Sequence, residues 1–131
     1  MADIVKIDSG NILSILHASG DAVIPNPFEK QIYLVDVHIA GTTYIENIDE
    51  LEPELTIGKR LQFFREPDNI YDSMAIVIKD EKNNKLGYIP KEKNEILSRL
   101  MDAGKLIYGT VYAKQKIGNW HKITIQVYLD D

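Results

Sequence analysis

The residues with the clearest chemical potential lie in one polar stretch between two apolar segments, FREPDNIYDSMAIVI, at residues 64–78. Pro67 fixes its own φ angle and favours an extended residue before it. The polar residues after it can hydrogen-bond nearby backbone, so REPDN should form a rigid corner, called the REPDN corner below. Tyr71 and Asp72 follow at the mouth of the next apolar segment, where a carboxylate can accept hydrogen bonds. Spacing alone leaves a second interpretation open, in which Asp72 only caps the turn and Tyr71 only covers the core.

The other candidate groups do not form a catalytic or metal-binding motif. The chain has no cysteine, which excludes disulfides and thiolate zinc sites. His17, His38 and His121 are far apart in sequence without HxH or HxxxH spacing, and we interpret them as surface residues. There is no Ser/His/Asp or Cys/His pairing and no GxxxxGK phosphate loop. We therefore expect a protein that is not an enzyme and that uses no cofactor and no metal.

Hydrophobic periodicity predicts a small protein built mainly of strands. The alternation is strictest in residues 120–129, where Ile123, Ile125 and Val127 should face a core. Five further segments have the pattern of strands, namely residues 31–40, 59–65, 74–79, 86–89 and 106–114. The segment at residues 106–114 should turn Ile107, Val111 and Ala113 to one face. Six strands with regular turns indicate a closed or nearly closed antiparallel barrel.

One helix is clear and a second is short. Residues 91–103 should form a helix that begins after Pro90 and ends at Gly104. Its buried stripe should consist of Ile96, Leu97, Leu100 and Met101. The acidic segment, residues 45–55, has apolar residues at near-helical spacing and should form an amphipathic turn over one end of the barrel.

Length and composition fit one domain at residues 31–131, preceded by an extension at residues 1–30 that packs on it. The chain has 131 residues, of which 44% are hydrophobic, enough to bury a core without cross-links. Glycines and prolines divide the first 30 residues into pieces too short to fold alone. No signal peptide or membrane span is evident, so we expect a cytoplasmic protein with no membrane partner.

Charge is distributed unevenly along the chain, although the net charge is −5. Residues 1–58 contain ten acidic residues and two lysines, whereas residues 59–131 contain thirteen basic and ten acidic residues. An acidic protein can carry one basic face in this way, but a solvated surface can show the same asymmetry by chance. The predicted basic face consists of Lys59, Arg60, Arg65, Lys91, Lys114, Lys116 and Lys122.

The REPDN corner, the A-I strand after it and the LGYIPK segment at residues 86–91 resemble the signature of the HIRAN domain family. The resemblance covers residues 35–127. HIRAN domains occur alone in bacteria and attached to DNA-remodelling helicases in eukaryotes. The resemblance implies a β barrel similar to an OB-fold, flanked by one or two helices. Such barrels bind single strands through basic grooves and aromatic platforms. The candidate platforms are Tyr44, Tyr71, Tyr88, Tyr108, Tyr112 and Trp120, of which about half should fill the core instead.

HIRAN domains characterised as DNA binders hold the free 3′ end of a single strand, and the resemblance implies roles for individual residues. Asp72 would accept a hydrogen bond from the terminal 3′-OH, while Tyr71 and Asn69 would line the pocket. Tyr44 would stack on an end base, and Lys91 would meet a phosphate. The DNA-binding residues implied are Thr43, Tyr44, Arg65, Asn69, Tyr71, Asp72, Tyr88 and Lys91.

Two departures from the family pattern reduce the expected affinity. Thr43 stands where DNA-binding members have an arginine, and Tyr88 stands where they have a histidine. Each lost phosphate contact lowers affinity and its salt dependence, so we expect weak binding of single-stranded DNA 3′ ends. A protein-interaction module that uses the same pocket or the acidic segment is the alternative.

Overall fold

Alternating apolar residues build one antiparallel sheet within residues 31–130, the part of the chain that this computed structural model describes. In space the strands follow the order β1-β6-β5-β2-β3-β4. The six strands predicted for this range are confirmed, with shifted ends. They are β1 (Gln31–His38), β2 (Arg60–Arg65), β3 (Ile76–Lys79), β4 (Lys85–Tyr88), β5 (Leu106–Ile117) and β6 (Trp120–Asp130).

The sheet curls into a half-barrel, and its two outer strands approach each other at one point. Ala40, just after β1, exchanges two backbone hydrogen bonds with Tyr88 at the end of β4, at N···O distances of 2.8 and 2.9 Å. This Ala40–Tyr88 bridge requires a glycine beside it, because a Cβ atom on Gly87 would lie 2.4 Å from the Ala40 carbonyl oxygen. The expectation of a nearly closed barrel is therefore confirmed.

Two helices accompany the sheet. The first, α1 (Ile48–Leu51), continues into a 3₁₀ turn (Glu52–Glu54) and buries Ile48, Leu51 and Leu55, as predicted for the acidic segment. The second, α2 (Lys91–Asp102), is the predicted long helix.

The predicted buried stripe of α2 is wrong at one position. Its buried residues are Asn94, Leu97 and Ser98, and Ile96 is 71% exposed. Each helical residue is rotated by about 100° from the one before it, so a face centred between Leu97 and Ser98 leaves Ile96 roughly 150° away, in solvent. Leu100 and Met101 are half-buried against the core.

The inward faces of the two longest strands form much of the core. Ile123, Ile125 and Val127 on β6 are fully buried, which confirms their predicted direction. Ala113 on β5 is exposed, contrary to expectation. The strand register shifts between Val111 and Ala113, so a bulge reverses the alternation and turns Ala113 outward.

His121 is not the surface residue that the sequence suggested. It lies on the inner face of β6 and is 8% exposed, and its Nε2 lies 2.6 Å from Oδ1 of Asp49 in α1. This hydrogen bond lowers the pKa of the Asp49 carboxyl. The hydrogen bond between His121 and Asp49 holds the acidic segment against the end of the barrel.

The prediction that residues 1–30 pack on the domain lies outside the described residues. Between residues 31 and 130, no helix is long and apolar enough to cross a membrane. The same part of the chain contains no group of three or more acidic or histidine side chains able to hold a metal ion.

Candidate functional site

The REPDN corner is held by its own hydrogen bonds. The backbone N–H of Glu66 donates to the Ala75 carbonyl, which joins the two sides of the corner at 3.0 Å. The Asn69 side-chain oxygen accepts from the N–H groups of Tyr71 and Asp72 at 2.8 and 3.1 Å. The predicted rigidity of the corner therefore comes mainly from Asn69, which fixes where the next two residues begin.

Arg65, the first residue of the REPDN corner, stabilises the corner through hydrogen bonds of its side chain. Its guanidinium donates to the carbonyl oxygens of Ala75 and Ser73, at 2.7 and 3.0 Å. It also pairs with Asp102 at the end of α2, with Nε 2.9 Å from Oδ1. Arg65 thus connects the corner to the long helix, and its donor groups are engaged within the protein.

Asp72 does cap the turn, and it also belongs to a cavity. Its Oδ1 accepts from the Met74 N–H at 2.9 Å, and its Oδ2 accepts from the Asn94 side-chain amide at 2.8 Å. These two hydrogen bonds, the backbone one first, lower the pKa of the Asp72 carboxyl, so the side chain is ionised at neutral pH. An ionised carboxylate has about four acceptor positions, so roughly two remain free for a ligand.

Tyr71 does not cover the core, which removes that half of the structural interpretation. Its side chain is 83% exposed and stands at the rim of the same cavity. The Tyr71 N–H donates to the Asn69 side chain, which fixes the Tyr71 backbone while the Tyr71 ring stays exposed to solvent.

The cavity, called the Asp72 pocket below, has a volume of about 420 Å³. It lies where the REPDN corner, the end of β4 and the start of α2 meet beside the Ala40–Tyr88 bridge. Two lysines from different elements, Lys85 and Lys91, bring positive charge to it. Its lining consists of Ala40, Asn69, Tyr71, Asp72, Ala75, Lys85, Tyr88, Ile89, Lys91 and Asn94.

A chain of hydrogen bonds closes one side of the Asp72 pocket. Lys85 Nζ donates to the Tyr88 hydroxyl at 2.9 Å, and that hydroxyl donates to Glu66 Oε1 at 2.8 Å. Asn69 Nδ2 donates to the same carboxylate oxygen at 3.1 Å. Burial opposes ionisation of Glu66, but the hydrogen bonds from Tyr88 and Asn69 prevail and lower its pKa. Tyr88 is therefore held in place by a negative and a positive neighbour.

Five of the eight residues implied by the resemblance meet at the Asp72 pocket, namely Asn69, Tyr71, Asp72, Tyr88 and Lys91. The other three, Thr43, Tyr44 and Arg65, do not line it. Thr43 and Tyr44 are exposed in a 3₁₀ turn that begins two residues after Ala40.

The remaining candidate platforms lie elsewhere. Tyr108 is buried on the outer side of β5, stacked on Tyr128 with ring centroids 5.5 Å apart. The Arg60 guanidinium lies 3.7 Å from the other side of the Tyr108 ring. Both faces of that ring are thus occupied within the protein, which leaves no room for a base to stack on it.

Three residues of the site were missed by sequence reasoning: Glu66, Lys85 and Asn94. Lys85 looked like part of a polar hairpin loop. Asn94 gave a weak signal, since it lies three residues before Leu97 and so shares the buried face of α2. A polar residue on an apolar helical stripe needs a partner, and here the partner is Asp72.

The predicted basic face is wrong as a single surface. Arg60 lies on the outer side of the sheet, whereas Lys114 follows the bulge in β5, faces inward and pairs with Glu52 at 2.9 Å. Lys59 pairs with Glu81, and Arg65 with Asp102. Cross-strand register decides which side chains share a face, and the sequence does not specify it.

The arrangement can recognise a group that combines a hydroxyl donor with nearby negative charge. Asp72 accepts hydrogen bonds from a hydroxyl and repels an anion at the same place. Lys85 and Lys91 attract an anion at the sides of the pocket.

The chain matches a known protein family and is similar to solved structures. The HIRAN domain family model matches residues 32–130. No curated protein matches the chain. A crystal structure of a Lactobacillus plantarum protein has a TM-score of 0.70 and 28% identity, and the match covers 79% of this chain and 99% of that chain. The crystal structure of the HIRAN domain of human HLTF has a TM-score of 0.60 and 19% identity, covering 77% and 80% of the two chains. The chain therefore belongs to the HIRAN domain family.

Proposed function

We propose that this protein is a non-catalytic nucleic-acid-binding module whose Asp72 pocket holds the free 3′ end of single-stranded DNA, with a role in DNA repair or processing in the cytoplasm. The observation that carries the proposal is the Asp72 carboxylate. It is ionised, oriented by two hydrogen bonds and open to a pocket flanked by two lysines.

Each part of a strand end has a matching group in the pocket. The terminal 3′-OH donates to Asp72. Lys85 and Lys91 neutralise the phosphodiester that precedes the last sugar, and the exposed ring of Tyr71 stacks on a base. A strand that ends in a 3′-phosphate places its negative charge against Asp72 and is disfavoured.

The binding should be weak. Thr43 brings no positive charge, and the Tyr88 hydroxyl is already engaged with Glu66 and Lys85. With one neutralised phosphate, the logarithm of the affinity should fall with the logarithm of salt with a slope of only about −0.7. The net charge of −5 adds a general repulsion of DNA.

A titration of the same 5′-labelled strand with a 3′-OH or a 3′-phosphate end, at low and moderate salt, tests the proposal. The 3′-OH strand should bind roughly tenfold more tightly, because a hydrogen bond to a charged group contributes about 1.5 to 3 kcal/mol. Fluorescence anisotropy measures both affinities. Asp72→Ala should remove the preference, and Lys91→Ala should weaken both strands alike.

Asp68→Ala is the matched control, since Asp68 is an exposed acid in the REPDN corner that does not line the pocket. It should keep the preference for the 3′-OH end. Equal affinity for the two ends, with folded Asp72→Ala behaving as the parent, would contradict the proposal and leave Asp72 as a turn cap.

A protein-interaction module is the second candidate. Ile70 and Tyr71 are neighbouring exposed side chains at the rim of the pocket and offer apolar surface to a partner. The acidic segment is a weaker candidate, because Asp49 and Glu52 already pair with His121 and Lys114. Absence of oligonucleotide binding at low salt would favour this second function.

A further inference from the structure

Asn94 is a buried polar side chain that uses one of its four hydrogen-bonding positions. It is 4% exposed, and its Nδ2 donates to Asp72 Oδ2 at 2.8 Å. A carboxylate can only accept, so the amide nitrogen must face Asp72 and the orientation of the amide is settled. Within residues 31–130, the Asn94 Oδ1 atom accepts no hydrogen bond.

A buried acceptor beside a cavity needs a hydrogen-bond donor, which water supplies in the empty cavity and a ligand can replace. Asn94 lines the Asp72 pocket and its Nδ2 is engaged with Asp72, so Oδ1 is the acceptor that this residue can offer to a ligand. The amide oxygen and nitrogen share one carbon atom. Oδ1 therefore lies within a few ångströms of the Asp72 carboxylate, and the pocket holds two adjacent acceptors.

Two adjacent acceptors fit two adjacent hydroxyl donors. We propose that the Asp72 pocket reads the 2′,3′-cis-diol of a terminal ribose, with the 3′-OH donating to Asp72 and the 2′-OH donating to Asn94 Oδ1. A 2′-deoxyribose leaves Asn94 Oδ1 without a donor. The pocket thus prefers a strand with a ribonucleotide at its 3′ end over an all-DNA strand, and this inference rests on the proposed function of the pocket. The 2′-OH is the group by which proteins distinguish RNA from DNA.

Four 5′-labelled strands of one sequence, identical except for the last nucleotide, test this inference. The last sugar is a ribose, a 2′-deoxyribose, a 2′-O-methylribose or a 2′,3′-dideoxyribose. The ribose end should bind about three- to tenfold more tightly than the deoxyribose end, the effect of one neutral hydrogen bond. The 2′-O-methyl end keeps the ribose framework but cannot donate, so it should bind no better than the deoxyribose end. The dideoxyribose end should bind most weakly.

Asn94→Leu should abolish the preference for ribose, while a preference for deoxyribose over dideoxyribose persists through Asp72. Ser98→Ala is the matched control, because Ser98 is buried one turn further along α2 and does not line the pocket. It should keep the ribose preference. If Asn94→Leu does not fold, the four strands with the parent protein still decide the question.

The outcomes separate the two proposals. Equal binding of ribose and deoxyribose ends, both tighter than the dideoxyribose end, would overturn the role of Asn94 and leave the proposed function intact. Equal binding of all four ends would overturn the proposed function and this inference with it.

Discussion

Asp72 combines two tasks that a carboxylate can perform at once. Its Oδ1 closes the turn through the Met74 N–H, and its Oδ2 is oriented by Asn94. Both bonds stabilise the ionised form and lower its pKa. The proposed discrimination between strand ends should therefore persist as the pH falls to about 4, the ordinary carboxyl range, because the lowered pKa delays protonation of Asp72 to lower pH.

The Glu66 carboxylate contributes to the stability of the folded protein, and the pH dependence of this contribution can be measured. The pKa of Glu66 is lower in the folded state, so its stabilising effect is complete above its unfolded value of about 4.3 and is lost as the pH falls through the folded pKa. Glu66→Gln should cost about 1 kcal/mol at pH 7, since its hydrogen bonds become uncharged. Urea denaturation at pH 7, 5 and 3.5 should show this cost unchanged at pH 5 and reduced at pH 3.5.

Glu46→Gln is the control for that series. Glu46 is exposed in the loop before α1, so its replacement should have little effect at any of the three pH values. A cost for Glu66→Gln that grows as the pH falls would have the wrong sign and would refute the assignment.

Among the elements, β4 depends on Gly87 for its close approach to the Ala40 backbone. Gly87→Ala would bring a Cβ atom against the Ala40 carbonyl oxygen and the Ile39 side chain, forcing the Ala40–Tyr88 bridge to open. We expect a loss of about 1 to 3 kcal/mol in the free energy of unfolding, together with weaker binding of a 3′-OH strand. Chemical denaturation and anisotropy measure the two effects.

Gly87 has a positive φ of 152°, so its replacement combines a steric clash with backbone strain. Gly118→Ala is a control that introduces backbone strain without the clash. Gly118 also has a positive φ of 61°, but nothing lies within 4 Å of the position of its Cβ. It should lower stability by about 1 kcal/mol without changing oligonucleotide affinity, because Gly118 does not line the pocket and an added Cβ atom would displace no neighbour. Equal effects of the two substitutions on binding would show that the bridge does not shape the pocket.

The elements also show what could be predicted from the sequence. Alternation identified β1, β2, β5 and β6, because a half-buried strand leaves a period of two that survives in one sequence. The short strands β3 and β4 do not alternate and were identified as apolar runs between turn residues. The bulge at Tyr112 and the outward direction of Ile96 depend on how elements pack, so periodicity missed both. The Asp72 pocket was found only in part, since Lys85 and Asn94 are brought to it by tertiary contacts with Tyr88 and Asp72.

At the scale of the whole molecule, the stability of the fold depends on the buried face of β6. Ile125 is fully buried in the centre of the core, and its strand pairs with both β1 and β5. Ile125→Asp should unfold the protein, because an isolated buried charge costs several kcal/mol against a total stability of about 5 to 15 kcal/mol. A thermal melt followed by circular dichroism tests this expectation.

Thr124→Asp places the same side chain one residue earlier, on the outer side of β6, and should leave a cooperative melt. A melt of Ile125→Asp that matched the parent would contradict the assignment of β6 to the core.

The Ala40–Tyr88 bridge has a consequence for how the barrel responds to its ligand. Both bridge residues line the Asp72 pocket, and the bridge is a single pair where the other strand contacts are longer ladders. Such a short contact is where transient local opening begins. Under the proposed function, a bound strand end contacts both edges of the sheet. Its binding should then stabilise the closed bridge by the same free energy with which the closed form prefers the strand end.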